Sequence, residues 1–330
     1  MTTNKPRIDV AVAVVFGPDG KVLWGCRPEG KPYAGYWEFP GGKVEPGETV
    51  WQALVRELRE ELNITALEGG PWFVIEHDYE HANVRLHLYR VWHHSGQAEA
   101  LEGQVFAWDS LEPRGLNPIL PATEPLLPKL AQPQTMWITH YGASLQGFAR
   151  QLVQRLEAAP PRTLYVQFRE KELLGEDLRW AFQHCVSLCN KHNQPLLINS
   201  DVLAALEALV GPQELAPHAV HLTERHLMQG VREGARERAV GASVHSMDGL
   251  VAAHERGLKY AVLGAVQATA SHPGQTGMGW LAFRALAERA QLPVFAVGGL
   301  RPQDRQIAMR NGAHGLAMIR GSVIDCTGES

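Results

Sequence analysis

Four of the glutamates in residues 42–64 are spaced so that their carboxylates can gather in one place. Glu57, Glu60 and Glu61 are separated by three and four positions, so a helix would present them on one face. Like charges on one face destabilise a helix unless a counter-ion neutralises them. Because Mg²⁺ prefers oxygen ligands, we predict a Mg²⁺ site formed by these three residues and Glu48, with Mn²⁺ as an alternative ion.

The residues around these glutamates predict where the helix begins and ends. Thr49 is a favourable N-cap, and Gln52 three residues later completes a capping box. Asn63 can adopt the left-handed conformation that ends a helix. The opposite stripe of the helix is apolar and can pack on a core: Leu54, Leu58 and Leu62. Before the helix, Gly41-Gly42 and Pro46-Gly47 predict a tight loop whose backbone can approach a phosphate chain.

The whole segment resembles the Nudix box, G-x5-E-x7-R-E-U-x-E-E-x-G-U, where U is aliphatic. The matching positions are Gly42, Glu48, Arg56, Glu57, Leu58, Glu60, Glu61 and Ile64. Asn63 stands in place of the final glycine, and asparagine also tolerates positive φ. The resemblance implies a Nudix α/β/α sandwich with a mixed sheet. It also implies metal-assisted hydrolysis of a nucleoside diphosphate linked to another group, with Arg56 orienting the carboxylates.

Within that family, the chain is similar to the mutator-type 8-oxo-dGTP diphosphatases. The similar segments are Glu38-Phe39-Pro40-Gly41-Gly42-Lys43, Glu102-Gly103-Gln104 and Pro121-Ala122-Thr123-Glu124-Pro125. The resemblance implies catalytic roles for Glu57 and Glu102, the latter as a metal ligand or general base. The residues it implies at the substrate are Arg27, Phe39, Gly41, Gly42 and Thr123.

Two of these substrate positions leave alternatives open. Thr123 replaces the asparagine that reads the oxidised purine in that family, and a hydroxyl cannot offer both an amide donor and a carbonyl acceptor. Phe39 can either stack on a base or pack in the core.

The reaction that the resemblance predicts is hydrolysis of 8-oxo-dGTP to 8-oxo-dGMP and pyrophosphate, a step of nucleotide-pool sanitising and DNA repair.

Composition narrows the classes of partner. The chain has 330 residues, a net charge of −4 and no strongly basic run, which argues against binding duplex nucleic acid. Its four cysteines have no metal-site spacing, and Cys185 and Cys189 lie one turn apart as expected for buried thiols. With no signal peptide and no apolar run long enough to span a membrane, we expect a cytoplasmic protein.

The pattern of strands and helices changes after a proline-rich stretch. In the first part, residues 8–25 predict a hairpin around Gly17-Pro18-Asp19-Gly20, strands return at 72–75, 84–92 and 105–108, and a short helix is expected at 124–130. We place a linker near residues 131–134. The predicted domains are residues 1–132 and residues 135–330.

The second part alternates short apolar runs with helical patterns. The runs are 136–139, 164–168, 196–198, 219–222, 240–244, 261–263, 294–297 and 315–319. Strands alternating with helices indicate parallel βαβ units, and this number of units predicts a closed (β/α)8 TIM barrel. An open doubly wound sheet is the alternative.

The second part resembles the thiamine phosphate synthases and the related thiazole tautomerases. The similarity lies in Leu164–Lys171, which carries Gln167, Arg169 and Lys171, and in strand ends at Asn199, 243–246 and 297–300. The resemblance implies binding of a phosphate or pyrophosphate. The residues expected at that phosphate are Gln167, Arg169, Lys171, Asn199, Gly298, Gly299, Arg320 and Gly321.

Several departures argue against the metal-dependent synthase reaction. Ser200 stands where the synthases carry an aspartate, the segment 223–226 lacks a second one, and His272 replaces a lysine. The segment 243–246 is closer to the tautomerases, which makes His245 a candidate proton shuttle. A remnant histidine without a role is the alternative.

Three functional hypotheses follow. The first is a Mg²⁺-dependent nucleoside triphosphate pyrophosphohydrolase with an accessory barrel. The second is a thiamine-pathway pyrophosphate hydrolase whose barrel either supplies the substrate or acts as a thiazole tautomerase. In the third, the barrel only binds a phosphorylated thiamine-related ligand and regulates or scaffolds the hydrolase.

Overall fold

The computed structural model describes residues 6–80, 82–231, 233–269, 274 and 276–320. The chain divides into two compact units, Met1–Ala131 and Gln132–Ser330. None of the helices in these ranges is long and apolar enough to cross a membrane.

The first unit is built from two sheets. Its strands are β1 (Arg7–Val15), β2 (Val22–Cys26), β3 (Trp37–Glu38), β4 (Gly41–Lys43), β5 (Thr65–Asp78), β6 (Asn83–Ser95) and β7 (Val105–Asp109). One sheet has the order β4-β1-β6-β5 and the other the order β3-β2-β7. Since β1 is parallel to β6 and antiparallel to β4, the larger sheet is mixed, as the resemblance implied.

Strand β1 is buried on both faces, which explains its nearly continuous apolar sequence. Ala11 and Ala13 pack with the helix α1 (Val50–Leu62) on one face. Val12 and Val14 pack on the other face with Leu126 and Leu130, from the 3-10 turn Glu124–Leu126 and the helix α2 (Leu127–Leu130). Helices therefore cover both faces of the mixed sheet, and the predicted helix at 124–130 is confirmed.

The predicted hairpin at residues 8–25 is only partly correct. The turn forms, with the Gly17 amide donating to the Lys21 carbonyl at 2.8 Å and a single antiparallel bridge between Phe16 and Val22. The strands then separate, because β1 pairs with β4 and β6 while β2 pairs with β3 and β7. Local sequence signals the turn but not the two distant partners.

Helix α1 matches its prediction at both ends. Thr49 accepts a hydrogen bond from the Gln52 amide, and both halves of the capping box are present. Asn63 is left-handed, with φ of 56°, and its amide bonds the Arg59 carbonyl. The apolar stripe is buried as expected: Leu54, Leu58 and Leu62.

Gly41 and Gly42 correct the prediction of a loop, since they lie in strand β4 beside β1. A Cβ at Gly41 would overlap the Ala11 carbonyl oxygen, and a Cβ at Gly42 would overlap the carboxylate of Glu57. Glycine is required here by close approach of the strand and the helix carboxylate rather than by a turn.

The second unit is a closed parallel barrel, which confirms the predicted (β/α)8 fold and excludes the open sheet. Its strands are β8 (Thr135–Ile138), β9 (Leu164–Phe168), β10 (Leu196–Asn199), β11 (Ala219–Leu222), β12 (Ala239–Val244), β13 (Tyr260–Gly264), β14 (Val294–Val297) and β15 (Gly315–Met318). The helices between them are α3 (Leu145–Ala158), α4 (Gly175–Lys191), α5 (Leu203–Val210), α6 (Pro212–Leu215), α7 (Glu224–Gln229), α8 (Glu233–Glu237), α9 (Met247–Glu255), α10 (Gly279–Ala287) and α11 (Arg305–Arg310).

The barrel has an apolar interior and a packed outer layer. Met136, Tyr260 and Phe295 fill part of the interior, and the thiols of Cys185 and Cys189 are buried on α4 as predicted. Each apolar residue along a strand packs either in the interior or against a helix. The strand sequences are therefore continuously apolar instead of alternating between apolar and polar residues.

The two units divide between Ala131 and Gln132, so Gln132 belongs to the second unit. Its side-chain amide donates to the Lys259 carbonyl at 3.1 Å, and its own carbonyl lies 3.2 Å from the His314 ring. That the two units fold independently stays a prediction.

Candidate functional site

A cavity of about 470 Å³ opens in the first unit, between the carboxylate face of α1, the loop that follows β2 and the loop that precedes β7. Its lining includes the carboxylates of Glu38, Glu57, Glu61 and Glu102. Its other wall is apolar and aromatic, and includes Phe39, Tyr33 and Tyr79. A charged end and an apolar end in one cavity suit a ligand with a phosphate chain and a base.

Glu61 feels the charges of the other three carboxylates of this cavity. Burial, followed by the charges of Glu57, Glu102 and Glu38, raises the pKa of Glu61 to about 7. Burial also raises the pKa of Glu38, although the Arg27 guanidinium opposes the shift. The carboxylates lie so close together that one of them resists ionisation. A hard divalent cation bound to their oxygens would neutralise their charge.

Arg56 gathers a second group of carboxylates. It donates to Glu48 at 2.7 Å, to Glu57 at 2.9 Å and to Glu60 at 3.3 Å. The hydrogen bonds from Arg56 and from the Glu45 amide hold the pKa of Glu48 below its ordinary value. Of the predicted metal ligands, Glu57, Glu61 and Glu102 line the cavity, whereas Glu48 and Glu60 are bonded to Arg56, which also bonds Glu57.

Glu102 reaches the cavity because its loop is tied to the end of α1. The Glu61 carbonyl accepts hydrogen bonds from the Gln104 side chain at 2.7 Å and from the Leu101 amide at 3.0 Å. The Glu102 amide donates to the Gln104 side chain at 3.0 Å. Gln104 thus positions the predicted base beside Glu61, a role that the sequence analysis did not assign to it.

Within residues 6–80, 82–231, 233–269, 274 and 276–320, no three His, Cys, Asp or Glu side chains lie close enough together to hold a metal ion. The donor chemistry nevertheless fits a divalent cation. Gly42 leaves the space in which the Glu57 carboxylate lies, and the other oxygens come from Glu61 and Glu102.

The substrate residues implied by the resemblance lie in different environments. Arg27 lines the cavity and donates to Glu38 at 2.5 Å and to the Pro32 carbonyl at 2.7 Å. Thr123 lines it too but is 4 % exposed. Phe39 is 3 % exposed and stacked on Trp24 at 4.4 Å, and it also lines the cavity, so the ring lies both in the core and at the cavity wall.

Among the side chains of this cavity to which sequence reasoning gave no role are Lys31, Glu38 and Tyr79. Burial raises the pKa of Tyr79 to about 12, opposed by a hydrogen bond from the Ala122 backbone. Glu38 had a signal, because it ends a short strand that leads directly into the glycines of β4. Lys31 and Tyr79 had none, since they lie in a loop and at a strand end without a recognisable motif.

In the barrel, two of the implied phosphate residues bond each other at the carboxyl ends of the strands, and a third pairs with a neighbouring acid. Gln167 accepts a hydrogen bond from Asn199 at 2.9 Å, and both are buried. Lys171 forms an ion pair with Asp201, an acid that the sequence analysis passed over. Arg225 also pairs with Asp201 at 3.4 Å.

This cluster does not fit the metal that the synthase resemblance implies. Ser200 is bonded to the His226 ring at 2.8 Å and accepts from the Thr223 amide at 3.0 Å, and the nearby Asp201 is neutralised by two cations. We derive no metal-dependent step at this end of the barrel.

His245 lies at the same end and has a carboxylate partner. Its Nδ1 is 2.6 Å from Glu224 Oε2, and its amide donates to Glu224 Oε1 at 3.0 Å. The side chain of His245 is 60 % exposed. A carboxylate at Nδ1 fixes the orientation of the ring and leaves Nε2 available to exchange a proton.

The remaining predicted phosphate residues follow the last two strands. Gly298 and Gly299 have φ of 104° and 67°, and a Cβ at either would collide with the loop after β13. Arg320 lies just after β15. Gly321 and Ser322, like His272 and Cys326, lie outside the described residues.

Comparison with known proteins agrees with both resemblances. The model of the NUDIX domain family matches residues 5–132, and that of the thiamine monophosphate synthase family matches residues 136–322, more than half of the chain.

Three relatives are informative. The CTP pyrophosphohydrolase of Escherichia coli (strain K12) is 45% identical over 119 residues, which are 35% of this chain and 86% of the relative. The 8-oxo-dGTP diphosphatase of the same organism is 32% identical over 124 residues, 38% of this chain and 96% of the relative. A putative thiamine-phosphate synthase 2 of Aquifex aeolicus (strain VF5) is 30% identical over 157 residues, 47% of this chain and 80% of the relative.

The box on α1, the mixed sheet and the family matches agree for the first unit, as the strand-end motifs, the closed barrel and the family matches do for the second. The chain therefore belongs to the thiamine monophosphate synthase family through its barrel and to the Nudix family through its first unit, and it is a Nudix hydrolase.

Proposed function

We propose that the first unit hydrolyses nucleoside triphosphates to monophosphates and pyrophosphate, with Mg²⁺, for which Mn²⁺ can substitute. The observation that carries the proposal is the group of carboxylates in the 470 Å³ cavity, where the pKa of Glu61 is raised to about 7 by burial and by its acidic neighbours. Such a group is costly without a cation, and the other end of the cavity has room for a base.

The chain's own residues have separate tasks in this proposal. Glu57, Glu61 and Glu102 would hold the cation, which supplies charge neutralisation of the phosphates and activation of water when bound. Arg56 orients Glu57 through its 2.9 Å hydrogen bond. Glu102 is the candidate base, since it reaches the cavity from a loop and its side chain is 48 % exposed to water.

Two nucleoside triphosphates, which differ in their base, are candidates for the substrate. The sequence predicted 8-oxo-dGTP, and a relative of that name is 32% identical. The relative named for CTP is 45% identical. Thr123 offers a single hydroxyl at the edge where an amide would read an oxidised purine, so it counts against 8-oxo-dGTP.

A panel assay that measures pyrophosphate released from the nucleoside triphosphates and orthophosphate released from thiamine pyrophosphate tests the proposal. The panel contains 8-oxo-dGTP, dGTP, CTP, dCTP and thiamine pyrophosphate, each with Mg²⁺, with Mn²⁺ and with EDTA. We expect release from at least one nucleoside triphosphate and none in EDTA. Hydrolysis of thiamine pyrophosphate in preference to every nucleotide would replace the proposal with the thiamine-pathway hypothesis. Equal rates in EDTA would exclude the metal site.

The barrel has a second candidate function, favoured by the pairing of His245 with Glu224 at 2.6 Å. It is tautomerisation of a thiazole phosphate, in which His245 moves a proton at Nε2. A tautomerase assay of wild type and His245→Ala separates this activity from ligand binding alone. A rate lost with His245 supports catalysis, and equal background rates support a binding module.

Binding to the barrel has its own test. Thermal shift with thiazole phosphate, aminopyrimidine pyrophosphate and thiamine phosphate reports a phosphate site, and no shift at millimolar ligand counts against it. Metal-dependent formation of thiamine phosphate is expected to be absent, because Ser200 and His226 bond each other where acids would be needed.

A further inference from the structure

Lys31 places a positive charge beside the carboxylates of the cavity. Its ammonium lies 3.3 Å from Glu102 Oε2. It also lowers the pKa values of Glu61 and Glu38 against the larger effect of burial, so its charge reaches all three acids. In the structure, Lys31 acts on this group as a bound cation would.

The loop that carries Lys31 has a defined shape. The Arg27 amide donates to the Tyr36 carbonyl, and the Gly35 amide donates to the Arg27 carbonyl, both at 2.9 Å. The Arg27 guanidinium crosses the loop to the Pro32 carbonyl at 2.7 Å. These bonds fix the backbone of the loop at its base and at its centre. The Lys31 ammonium can therefore leave Glu102 for another partner by a change of its side-chain conformation, without movement of the backbone.

The partner of Lys31 is equally well placed, since Gln104 links the Glu102 amide to the Glu61 carbonyl. The ion pair itself is weak. Its side chains are 49 % and 48 % exposed, and exposed pairs of this kind contribute little to stability. A doubly charged ion that binds the same carboxylates would therefore displace the ammonium readily.

A displaced ammonium would remain at the wall of the cavity, where an anionic substrate binds. Arg27 cannot take the same role without breaking its bonds to Glu38 and Pro32. Among the described residues, the side-chain contact that Lys31 would exchange is the exposed one with Glu102, and its flexible stem carries three donors that suit phosphate oxygens.

We propose that Lys31 is the internal counter-ion of the carboxylate group when no metal is bound, and that divalent cations displace its ammonium from Glu102 onto the phosphate chain of the substrate. The inference rests on the proposed function of the first unit. It makes Lys31 both a competitor of the metal and a contact of the substrate.

The first test measures Mn²⁺ binding by calorimetry in the full-length protein, without substrate. Lys31→Met removes the competing charge and should tighten Mn²⁺ binding by about fivefold, whereas Lys31→Arg should stay close to wild type. Lys21→Met is the matched control, because Lys21 is 51 % exposed and pairs with Asp19 at 3.5 Å in the turn before β2. Its affinity should equal that of wild type.

The second test measures the other partner of Lys31. At saturating Mg²⁺, Lys31→Met should bind inorganic pyrophosphate about fivefold more weakly and show a raised KM with little change in kcat, while Lys21→Met changes neither. Pyrophosphate has no base, so this result does not depend on which nucleotide is the substrate.

The outcomes separate the inference from the function on which it rests. Wild-type protein that binds no Mn²⁺ would remove the proposed function and the inference with it. Wild-type protein that binds Mn²⁺, with Lys31→Met identical to it in both affinities, would overturn the role of Lys31 alone. Weaker Mn²⁺ binding in Lys31→Met would also overturn it, since a competitor cannot assist the metal.

Discussion

At the scale of single residues, the charge of each glutamate decides what the cavity can bind. Glu57 contacts Arg56 and Gly42, whereas Glu61 lies among other acids and is the residue whose pKa rises to about 7. Glutamine has nearly the same shape as glutamate, so a Glu→Gln change at either position removes the charge with little effect on the helix.

Glu57→Gln or Glu61→Gln should each reduce hydrolysis by about a hundredfold and weaken Mn²⁺ binding, because each removes an anionic oxygen that the metal needs. The measurements are pyrophosphate release and calorimetry. Glu112→Gln, an exposed acid outside the cavity lining, is the control and should behave as wild type. Full activity in either cavity variant would contradict the site assignment.

Glu61 also predicts how the stability of the metal-free protein depends on pH. Its pKa rises from 4.5 to about 7 on folding, so the folded state holds a proton that the unfolded state has lost between these values. The stabilisation is complete below pH 4.5 and is lost as pH rises through 7. In EDTA, the free energy of unfolding should therefore fall between pH 5 and pH 8.

Comparison with Glu61→Gln isolates this contribution from those of other buried acids. The loss between pH 5 and pH 8, measured by urea unfolding, should be about 1–3 kcal/mol smaller in the variant. The same pH dependence in both proteins would show that Glu61 ionises normally in the folded state.

At the scale of elements, the contact between β4 and α1 is what brings a carboxylate to the cavity. Two adjacent glycines allow it for different reasons, since Gly41 lies against the backbone of β1 and Gly42 lies against the side chain of Glu57. A carboxylate can move away from a new methyl group, but a strand paired on both sides cannot.

Alanine at these two positions should therefore have opposite consequences. Gly42→Ala should keep the melting temperature near that of wild type and lose most hydrolysis, because the methyl group displaces Glu57. Gly41→Ala should lower stability by about 1–3 kcal/mol, because the methyl group separates β4 from β1. Thermal unfolding and pyrophosphate release distinguish them, and a similar loss of stability in both would contradict this reasoning.

At the scale of the whole molecule, each unit has its own core. The hydrophobic clusters of the first unit are formed by residues between 10 and 130, and those of the barrel by residues between 136 and 319. Separate cores are typical of domains that fold alone.

A fragment of residues 1–132 should therefore fold and hydrolyse the substrate of the full chain with the same metal requirement. Circular dichroism, thermal unfolding and the pyrophosphate assay check this expectation. An insoluble or unfolded fragment would show that the boundary or the independence of the units is wrong.

The sequence by itself determined the elements whose signals are local. Helix α1 was predictable to its caps, because the capping box and Asn63 act within a few residues of the bonds they satisfy. The barrel was predictable because each strand must be apolar on both faces, which leaves eight separate runs in the sequence.

Only the tertiary structure decided which side chains meet. The structure shows that β1 and β2 belong to different sheets and that Glu48 and Glu60 are bonded to Arg56. It also shows that Glu38 and Lys31 line the cavity. It also paired His245 with Glu224 and Lys171 with Asp201. Except for the pair of Arg56 and Glu60, which lie four positions apart on α1, these contacts join residues from different strands and loops, and they form only when the sheets and the barrel close.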